Sequence, residues 1–190
     1  MTTSIMNSIC IRLALSLAVI LSTFSVQALA QTNKSWTTVA SAGTVNDQDL
    51  GKLELSGGGL VSFNAMAANN DTAYIRYNVT AVDGLFTLGH PKMRVRYQDN
   101  GGNAQVVVSL MELDLATGLP KKVLELDSND FAAAPFLQVQ TTGNCDAYNK
   151  PFDFTNKAYY IEVKLVRTGA GGFPRLAAIQ LFNVAATCMT

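Results

Sequence analysis

Apolar and polar residues alternate at every second position along much of the chain, which is the rhythm of strands that bury one face. The clearest example is the segment TAYIRYNVTAV, from Thr72 to Val82. Its even-numbered positions include Arg76 and Asn78, so we expect that face to reach solvent. The opposite face is predicted to line the core, through Ala73, Ile75, Tyr77, Val79 and Ala81.

Two segments near the C-terminus repeat this alternation. In NKAYYIEVKLVRTG the residues predicted to face the core are Tyr159, Ile161, Val163 and Leu165. In PRLAAIQLFNV the predicted core residues are Ala177, Ile179 and Leu181. A Gly-Ala-Gly-Gly turn separates the two segments, so the pattern predicts two distinct strands.

The stretch Pro91–Leu126 contains three β-rich runs divided by turns. MRVRY precedes the turn QDNGGN, AQVVVSLMELDL follows it, and KKVLEL comes after the turn TGLP. Short runs divided by glycine turns predict a three-stranded antiparallel meander that forms one half of a sandwich. In the first run, Arg94 and Arg96 are expected to point outward. The inward residues are predicted to be Met93, Val95 and Tyr97.

The middle run of this stretch is less regular, because apolar residues occupy both of its faces. They are Val106, Val108 and Leu110 on one face, and Met111, Leu113 and Leu115 on the other. Either the strand is covered on both faces, or a bulge near Leu110–Glu112 switches its phase. We favour the bulge, which would leave Glu112 and Asp114 on a solvated face.

The whole pattern predicts an all-β fold. Eight to ten strands can be traced from SWTTVA onward, with no credible long helix and no internal repeat. An antiparallel two-sheet β-sandwich is the natural way to bury one face of so many strands. The order of the last strands (AYYIEVKLVR, a glycine turn, PRLAAIQLF) resembles small secreted bacterial jelly-roll domains, including carbohydrate-binding modules. This resemblance covers Thr72 to Val184 and implies a jelly roll that binds a ligand on a sheet face or at loop tips. It carries over no catalytic residue.

The first thirty residues have the pattern of a secretory signal peptide. Arg12 supplies a positive n-region, Leu13–Val26 is apolar, and Ala28-Leu29-Ala30 is a small-x-small cleavage site. We expect cleavage near Ala30, export to the extracellular space or periplasm, and a single domain over residues 31–190. An uncleaved membrane anchor is the alternative. No later apolar run is long enough to span a bilayer.

The charge and the cysteine content bear on three questions: nucleic-acid binding, disulfide formation and zinc binding. Without Arg12 the mature chain has one more acidic than basic residue, which argues against a nucleic-acid partner. The mature chain keeps two cysteines, Cys145 and Cys188, and in an oxidising compartment we predict that they form a disulfide. Free thiols are the alternative. Zinc is disfavoured because His90 is the only histidine.

The search for catalytic residues predicts a protein that is not an enzyme. His90 lies in a Gly-His-Pro sequence with no serine nearby, and we expect a solvated loop histidine. Carboxylate pairs such as Asp127/Asp130 and Glu112/Asp114 could act as glycosidase acids in principle. No complete acid/base constellation is evident, so a small hydrolase ranks third among the functional hypotheses.

Two candidate binding features remain. Asp47 and Asp49, in the sequence Asn-Asp-Gln-Asp, offer oxygen ligands for a structural Ca²⁺, although a plain polar turn is favoured; no other cofactor is expected. The second feature is a set of outward residues that could stack on sugar rings and bond to hydroxyls, if their strands are neighbours. This set comprises Tyr74, Arg76, Arg94, Arg96 and Tyr160. The simpler interpretation is an ordinary charged face paired with Glu162 and Asp114.

These features together favour a secreted, non-catalytic β-sandwich that binds a glycan or another cell-surface ligand. The second hypothesis is a structural or oligomerising extracellular protein, in which an outer sheet face or an edge strand packs against another copy.

Overall fold

The computed structural model describes residues 35–81, 90–143 and 152–184, with all of their side chains except those of His90 and Val184. Within these ranges the chain forms eleven strands, one four-residue helix, α1 (Asp47–Leu50), and two 3₁₀ turns, at Ala40–Ala42 and Ser128–Asp130. The strands make two antiparallel sheets, so the predicted β-sandwich is confirmed. No helix in the described ranges is long and apolar enough to cross a bilayer.

The first sheet contains six of these strands. They are β1 (Ser35–Val39), β3 (Leu53–Leu55), β4 (Val61–Phe63), β6 (His90–Asp99), β9 (Ala134–Gly143) and β11 (Arg175–Val184). Their spatial order is β3, β4, β11, β6 and β9. Strands β1 and β4 both pair with the edge of β11 that faces away from β6. Strand β4 pairs with the first two residues of β11, and β1 pairs with the middle of β11.

The second sheet contains the other five strands. They are β2 (Thr44–Val45), β5 (Asp71–Val79), β7 (Ala104–Asp114), β8 (Pro120–Asp127) and β10 (Lys157–Arg167). Their order is β2, β5, β10, β7 and β8. The chain crosses between the sheets repeatedly, as a jelly roll does, and each crossing turns the apolar face of a strand toward the same core.

The core between the sheets is built largely from the residues that the alternation predicted. Ile75 and Val163 are fully buried from the second sheet, and Val95 and Ile179 are fully buried from the first. Burial of one such side chain is worth about 1.5–3 kcal/mol relative to exposure. Trp36 on β1 is also buried, as expected for a residue that plugs the edge of the core. The phases predicted for β5, β6 and β10 are therefore correct, apart from Ala81, which is exposed beyond the end of β5 at Val79.

The predicted three-stranded meander is wrong in one respect, because β6 and β7 belong to different sheets. Strands β7 and β8 do form the expected hairpin. Both edges of β6, however, are already paired, one with β11 and the other with β9. The chain therefore turns the corner at residues 100–103 and continues in the second sheet, so the glycine-rich turn links two sheets instead of closing a hairpin.

The expected change of phase within β7 does not occur. This strand keeps one unbroken register against β10 from Ala104 to Asp114. The irregularity lies on its other side, where the extra residue belongs to β8 and is Val123. Glu112 consequently faces inward and is buried, which corrects its predicted solvated position. The ammonium of Lys157 donates a hydrogen bond to its carboxylate.

A bulge does occur in β11, where the sequence did not predict one. Leu176 pairs with Tyr97 and Ala178 pairs with Arg96, so Ala177 is the extra residue. Leu176 is fully buried and Ala177 is only half-buried, which corrects the predicted core position of Ala177. The bulge shifts the phase of the strand by one residue and lets Leu176 and Ile179 face the same core.

The predicted signal peptide and the predicted Cys145–Cys188 disulfide both lie outside the described residues, and both stay predictions.

Candidate functional site

Three cross-strand pairs form the middle of the outer surface of the second sheet. Strands β5 and β10 lie side by side, and their outward residues are directly opposite one another. We call this surface the second-sheet face. Its pairs are Tyr74 with Lys164, Arg76 with Glu162, and Asn78 with Tyr160. Regular strands on both sides hold these side chains at fixed positions, which favours a preformed binding surface.

An ion pair sits at the centre of the second-sheet face. Arg76 donates from Nε and Nη2 to Oε2 of Glu162, at 3.0 and 2.9 Å. The two side chains are 55% and 29% exposed, so solvent screens much of their attraction. The guanidinium carbon of Arg76 also lies 5.9 Å from the centre of the Tyr160 ring. The ion pair therefore contributes little to the stability of the fold. Its main effect is to hold the Arg76 guanidinium beside the Tyr160 ring.

A groove of about 410 Å³ opens next to this ion pair. Its walls combine an aromatic ring, a guanidinium and a carboxamide with the apolar side chains of the β7–β8 hairpin. They come from Arg76, Asn78, Leu113, Gly118, Pro120, Ala158, Tyr159 and Tyr160. The alternation identified Arg76 and Tyr160. It missed Leu113, Gly118 and Pro120, because nothing local indicates that the β7–β8 turn lies beside β5 and β10.

Arg94 and Arg96 do not belong to this surface. They lie on β6, in the first sheet, and point away from the core on the opposite side of the sandwich. The five outward residues were expected to share one face if their strands were neighbours, and this condition is not met. Alternation within a strand correctly predicted that all five residues point outward. It does not show which sheet a strand joins, and β6 joins the other sheet.

The outer surface around Arg94 differs in character from the second-sheet face. Nη1 of Arg94 donates to Oε1 of Gln180 at 3.2 Å, and its guanidinium carbon lies 4.9 Å from the centre of the Phe182 ring. A hollow of about 210 Å³ is lined by both Arg94 and Arg96. Its lining is mostly apolar and includes Val139 and Ala178.

The two candidate calcium ligands are not arranged as a metal site. Asp49 is buried, and its carboxylate accepts hydrogen bonds from the Lys52 ammonium at 3.1 Å and from the Tyr74 amide at 3.0 Å. The hydrogen bonds that the Lys52 ammonium donates to Asp71 and Asp49 raise the pKa of Lys52, so this side chain stays charged beside Asp49. Asp47 is exposed on α1. Among the described residues no group of three potential ligands could hold a metal ion.

Three of the four carboxylates considered as catalytic acids have structural partners. Asp127 accepts hydrogen bonds from the Gln105 side chain at 2.8 and 2.9 Å and from the Asn129 amide at 3.0 Å. Asp114 caps the β7–β8 turn, and the backbone amide of Thr117 holds its pKa below the usual range. Glu112 is buried beside Lys157. None of the three lines the groove on the second-sheet face.

One buried cation lies away from both outer surfaces. Arg167 faces inward at the end of β10, with its guanidinium carbon 5.0 Å from the ring centre of Phe63 and 5.9 Å from that of Phe173. Its Nη1 donates to the carbonyl of Ala67 at 3.4 Å. These contacts close one end of the core, since a guanidinium is attracted to the faces of aromatic rings.

The solved structures whose folds are similar to this chain include several carbohydrate-binding modules. No family model matches the sequence, and no curated protein matches it. A xylan-binding module, CBM15, is 12% identical with a TM-score of 0.48, over 82% of this chain and 99% of that one. The C-terminal CBM6 of LamC from Zobellia galactanivorans is 12% identical with a TM-score of 0.42, over 79% and 100%.

Similar folds also occur in proteins of another kind. The VP2 subviral particle of infectious bursal disease virus is 9% identical with a TM-score of 0.38, over 82% of this chain and 34% of that one. At such identities the likeness concerns the fold alone. The ligand has to be argued from the side chains of this chain.

Proposed function

We propose that this chain is a secreted, non-catalytic domain that binds a neutral glycan in the groove of the second-sheet face. The observation that carries the proposal is the groove itself, in which Tyr160 and Asn78 lie beside the oriented guanidinium of Arg76. A sugar ring has an apolar C–H face and a rim of hydroxyls. The Tyr160 ring can stack on the apolar face of the sugar, while the Asn78 carboxamide and the Arg76 guanidinium can form hydrogen bonds with its hydroxyls.

The shape of the groove favours one segment of a polysaccharide over an enclosed small molecule. It is open to solvent along the sheet, and its floor is two adjacent strands of fixed geometry. The carboxylates of Asp127, Asp114 and Glu112 are engaged in structural contacts, which supports a binding role without hydrolysis. The expected affinity is modest, because few polar groups converge on the groove.

Calorimetric titration with soluble neutral polysaccharides, beginning with xylan and β-1,4-galactan, tests the proposal. We expect Tyr160→Ala and Asn78→Ala each to weaken binding about tenfold, since each removes one stacking or hydrogen-bonding contact. Phe136→Ala is the matched control. Phe136 is an aromatic residue that is 66% exposed on the first sheet, and its loss should leave affinity unchanged. Equal effects of Tyr160→Ala and Phe136→Ala, or no binding to any neutral glycan, would refute the groove as the site.

We also propose export with removal of the first thirty residues, to the extracellular space or the periplasm. The n-region, apolar segment and Ala-x-Ala site support this processing. Intact-mass measurement of the exported protein should give a chain that starts near Gln31. The same spectrum before and after reduction should show the two-hydrogen difference of a Cys145–Cys188 disulfide. A retained Met1 would contradict the first expectation, and unchanged mass on reduction the second.

A second candidate function is self-association through β9, as in a structural extracellular protein. This edge strand has ten residues, none of them charged, and within the described ranges it pairs only with β6. Natural edge strands usually carry charges that prevent pairing with another chain. Light scattering should show a dimer or larger species that Val139→Lys converts to a monomer. A monomeric wild-type protein that binds glycan would rule this function out.

A further inference from the structure

A row of three cations runs along the outer surface of the first sheet. Lys92, Arg94 and Arg96 occupy successive outward positions of β6, and both arginines are exposed. We call this row the basic stripe. Successive outward residues on one strand have Cα atoms about 7 Å apart, so the Cα atoms of these three residues span about 14 Å along β6.

The strands around the basic stripe contain almost no negative charge. Four adjacent strands, β1, β11, β6 and β9, include a single acidic residue, Asp99. Asp99 is buried, and its carboxylate accepts hydrogen bonds from the Ser128 hydroxyl at 2.5 Å and from the Gly101 amide at 3.0 Å. It is therefore not available to neutralise the outer surface.

No carboxylate pairs with the stripe within the described part of the chain. The side chain of Arg94 bonds to the neutral amide of Gln180, and no described residue forms a hydrogen bond or ion pair with the side chain of Arg96. The second sheet is different, because two of its exposed cations, Arg76 and Lys122, are paired with carboxylates at 2.9 and 2.7 Å. The sandwich thus has one balanced outer surface and one positive outer surface.

Apolar and aromatic groups lie between and beside these cations. The hollow between the two arginines has Ala178 and Val139 in its lining. Phe182 stands next to Arg94 on the neighbouring strand, opposite Lys92 in the register. At about 210 Å³ the hollow is smaller than the usual pocket for a small molecule. It can seat part of an extended chain whose repeating units carry negative charge.

We infer that the basic stripe binds an acidic polysaccharide, a carbohydrate polymer that carries carboxylate or sulfate groups. The guanidinium groups of Arg94 and Arg96 suit planar anionic oxygens, and the hollow between them suits the apolar face of a sugar ring. A polymer with regularly spaced anions matches a straight row of cations. Nucleic acid fits less well, because the mature chain has no net positive charge and the stripe is one residue wide.

Affinity electrophoresis and calorimetry of the exported protein with polygalacturonate and dextran sulfate test this inference. The two probes distinguish carboxylate from sulfate, and binding to either supports it. Binding should weaken as NaCl rises from ~0.05 to ~0.5 M, because salt screens exposed charges. The double variant Arg94→Gln with Arg96→Gln should lose about tenfold or more in affinity.

A control matched for net charge is available on the second sheet. Lys121 and Lys122 are both exposed on β8, and changing both to glutamine removes the same two positive charges. We expect this control to retain polysaccharide binding. Equal losses in the two double variants would overturn the inference, because net charge and not the stripe would then govern binding. Failure of both acidic polysaccharides to bind would overturn it as well.

Two further readouts separate this inference from its alternatives. Tighter binding of a DNA duplex than of either polysaccharide would overturn it in favour of a general polyanion surface. Tyr160→Ala, which alters the opposite side of the sandwich, should leave binding of the acidic probes intact. The stripe variant should in turn leave neutral glycan binding intact, so failure at one face is distinguishable from failure at the other.

Discussion

Single residues of β5 and β10 show how strictly the two faces of these strands are separated. Val79 and Ile161 are buried in the core, whereas Arg76, on the opposite face of β5, is exposed and pairs with Glu162. A shift of one residue in register would exchange these positions and bury charges without partners. Truncating a side chain on the core face should therefore lower the free energy of unfolding more than truncating one on the outer face.

We predict that Val79→Ala and Ile161→Ala each lower the free energy of unfolding by about 1–4 kcal/mol, because each leaves a cavity in the core. Arg76→Ala should change it by no more than about 1 kcal/mol, since an exposed ion pair contributes little. Urea denaturation followed by circular dichroism measures all three variants. A larger cost for Arg76→Ala than for Ile161→Ala would contradict the assignment of faces.

Two buried tyrosines differ in the environment of their hydroxyl groups. Tyr77 donates a hydrogen bond to the carbonyl of Ala40 at 2.6 Å. The hydroxyl of Tyr97 is buried and has no hydrogen-bond partner among the described residues. We predict that Tyr77→Phe costs about 0.5–1.5 kcal/mol, whereas Tyr97→Phe is neutral or stabilising because it removes an unsatisfied group. Paired thermal melts of the two variants measure the difference, and a larger loss for Tyr97→Phe would refute it.

Because the hydroxyl groups of Tyr77 and Tyr97 are buried, we expect the free energy of unfolding to depend on pH in the alkaline range. Burial, with the nearby charges of Asp99 and Asp127, raises the pKa of Tyr97 from 10.0 to about 12, and burial also raises the pKa of Tyr77. Below pH 10 the folded and unfolded chains both keep these protons, so the full stability is present. Above pH 10 the unfolded chain releases them first, and stability falls up to and through the folded pKa values.

We therefore expect the melting temperature to decrease steadily above pH 10, and to decrease less in Tyr97→Phe. Melting curves of both proteins between pH 8 and pH 11.5 test this expectation. A parallel decline in the two proteins would show that Tyr97 is not among the groups responsible.

At the scale of elements, two loops lock together at one end of the sandwich. The Asn100 side chain accepts a hydrogen bond from the Phe173 amide and donates one to the Gly171 carbonyl, both at 2.7 Å. The Thr168 amide donates to the Asn103 carbonyl at 3.0 Å. These contacts join the β6–β7 corner to the β10–β11 loop, and they hold the crossing between the sheets in place.

A glycine makes this close approach possible. A Cβ atom on Gly172 would lie 2.0 Å from the carbonyl oxygen of Asn103, whereas one on Gly102 in the same corner would meet nothing within 4 Å. We predict that Gly172→Ala costs about 1–3 kcal/mol, because the two loops must move apart. Gly102→Ala should be close to neutral, and chemical denaturation compares the two. Equal stability of the variants would mean that the loops are not in contact.

At the scale of the whole molecule, the two sheets contribute to one core. Trp36 on β1 is 9% exposed and belongs to the same apolar cluster as Ile161 of the second sheet. We predict that Trp36 fluorescence and far-ultraviolet circular dichroism report a single, coincident unfolding transition. Midpoints that differ between the two probes would show that the sheets unfold separately.

The two proposed ligands also depend on the whole molecule, because the sandwich places its two outer surfaces on opposite sides. The second-sheet face offers a groove with paired charges, and the first sheet offers the unpaired basic stripe. Under the two proposals together, one domain would contact two polysaccharides, or two parts of a mixed one, at separate sites.

The sequence alone determined which residues of β5, β6 and β10 face the core and which face solvent. Alternation with a period of two is a local property of an extended chain, so it could be recognised without knowledge of strand partners. For the same reason Arg76, Asn78 and Tyr160 could be assigned to an outer surface. Where the backbone departs from the regular period, as at Ala177, the local pattern predicted the wrong face.

Only the tertiary structure decided which strands share a sheet. Arg94 and Arg96 are separated from Arg76 because both edges of β6 are occupied by β11 and β9, so the chain has to cross to the other sheet at residues 100–103. Glu112 is buried because β7 keeps its register against β10, while Val123 of β8 absorbs the irregularity. Pairing of distant strands and competition for sheet edges are properties of the assembled fold, and no local pattern encodes them.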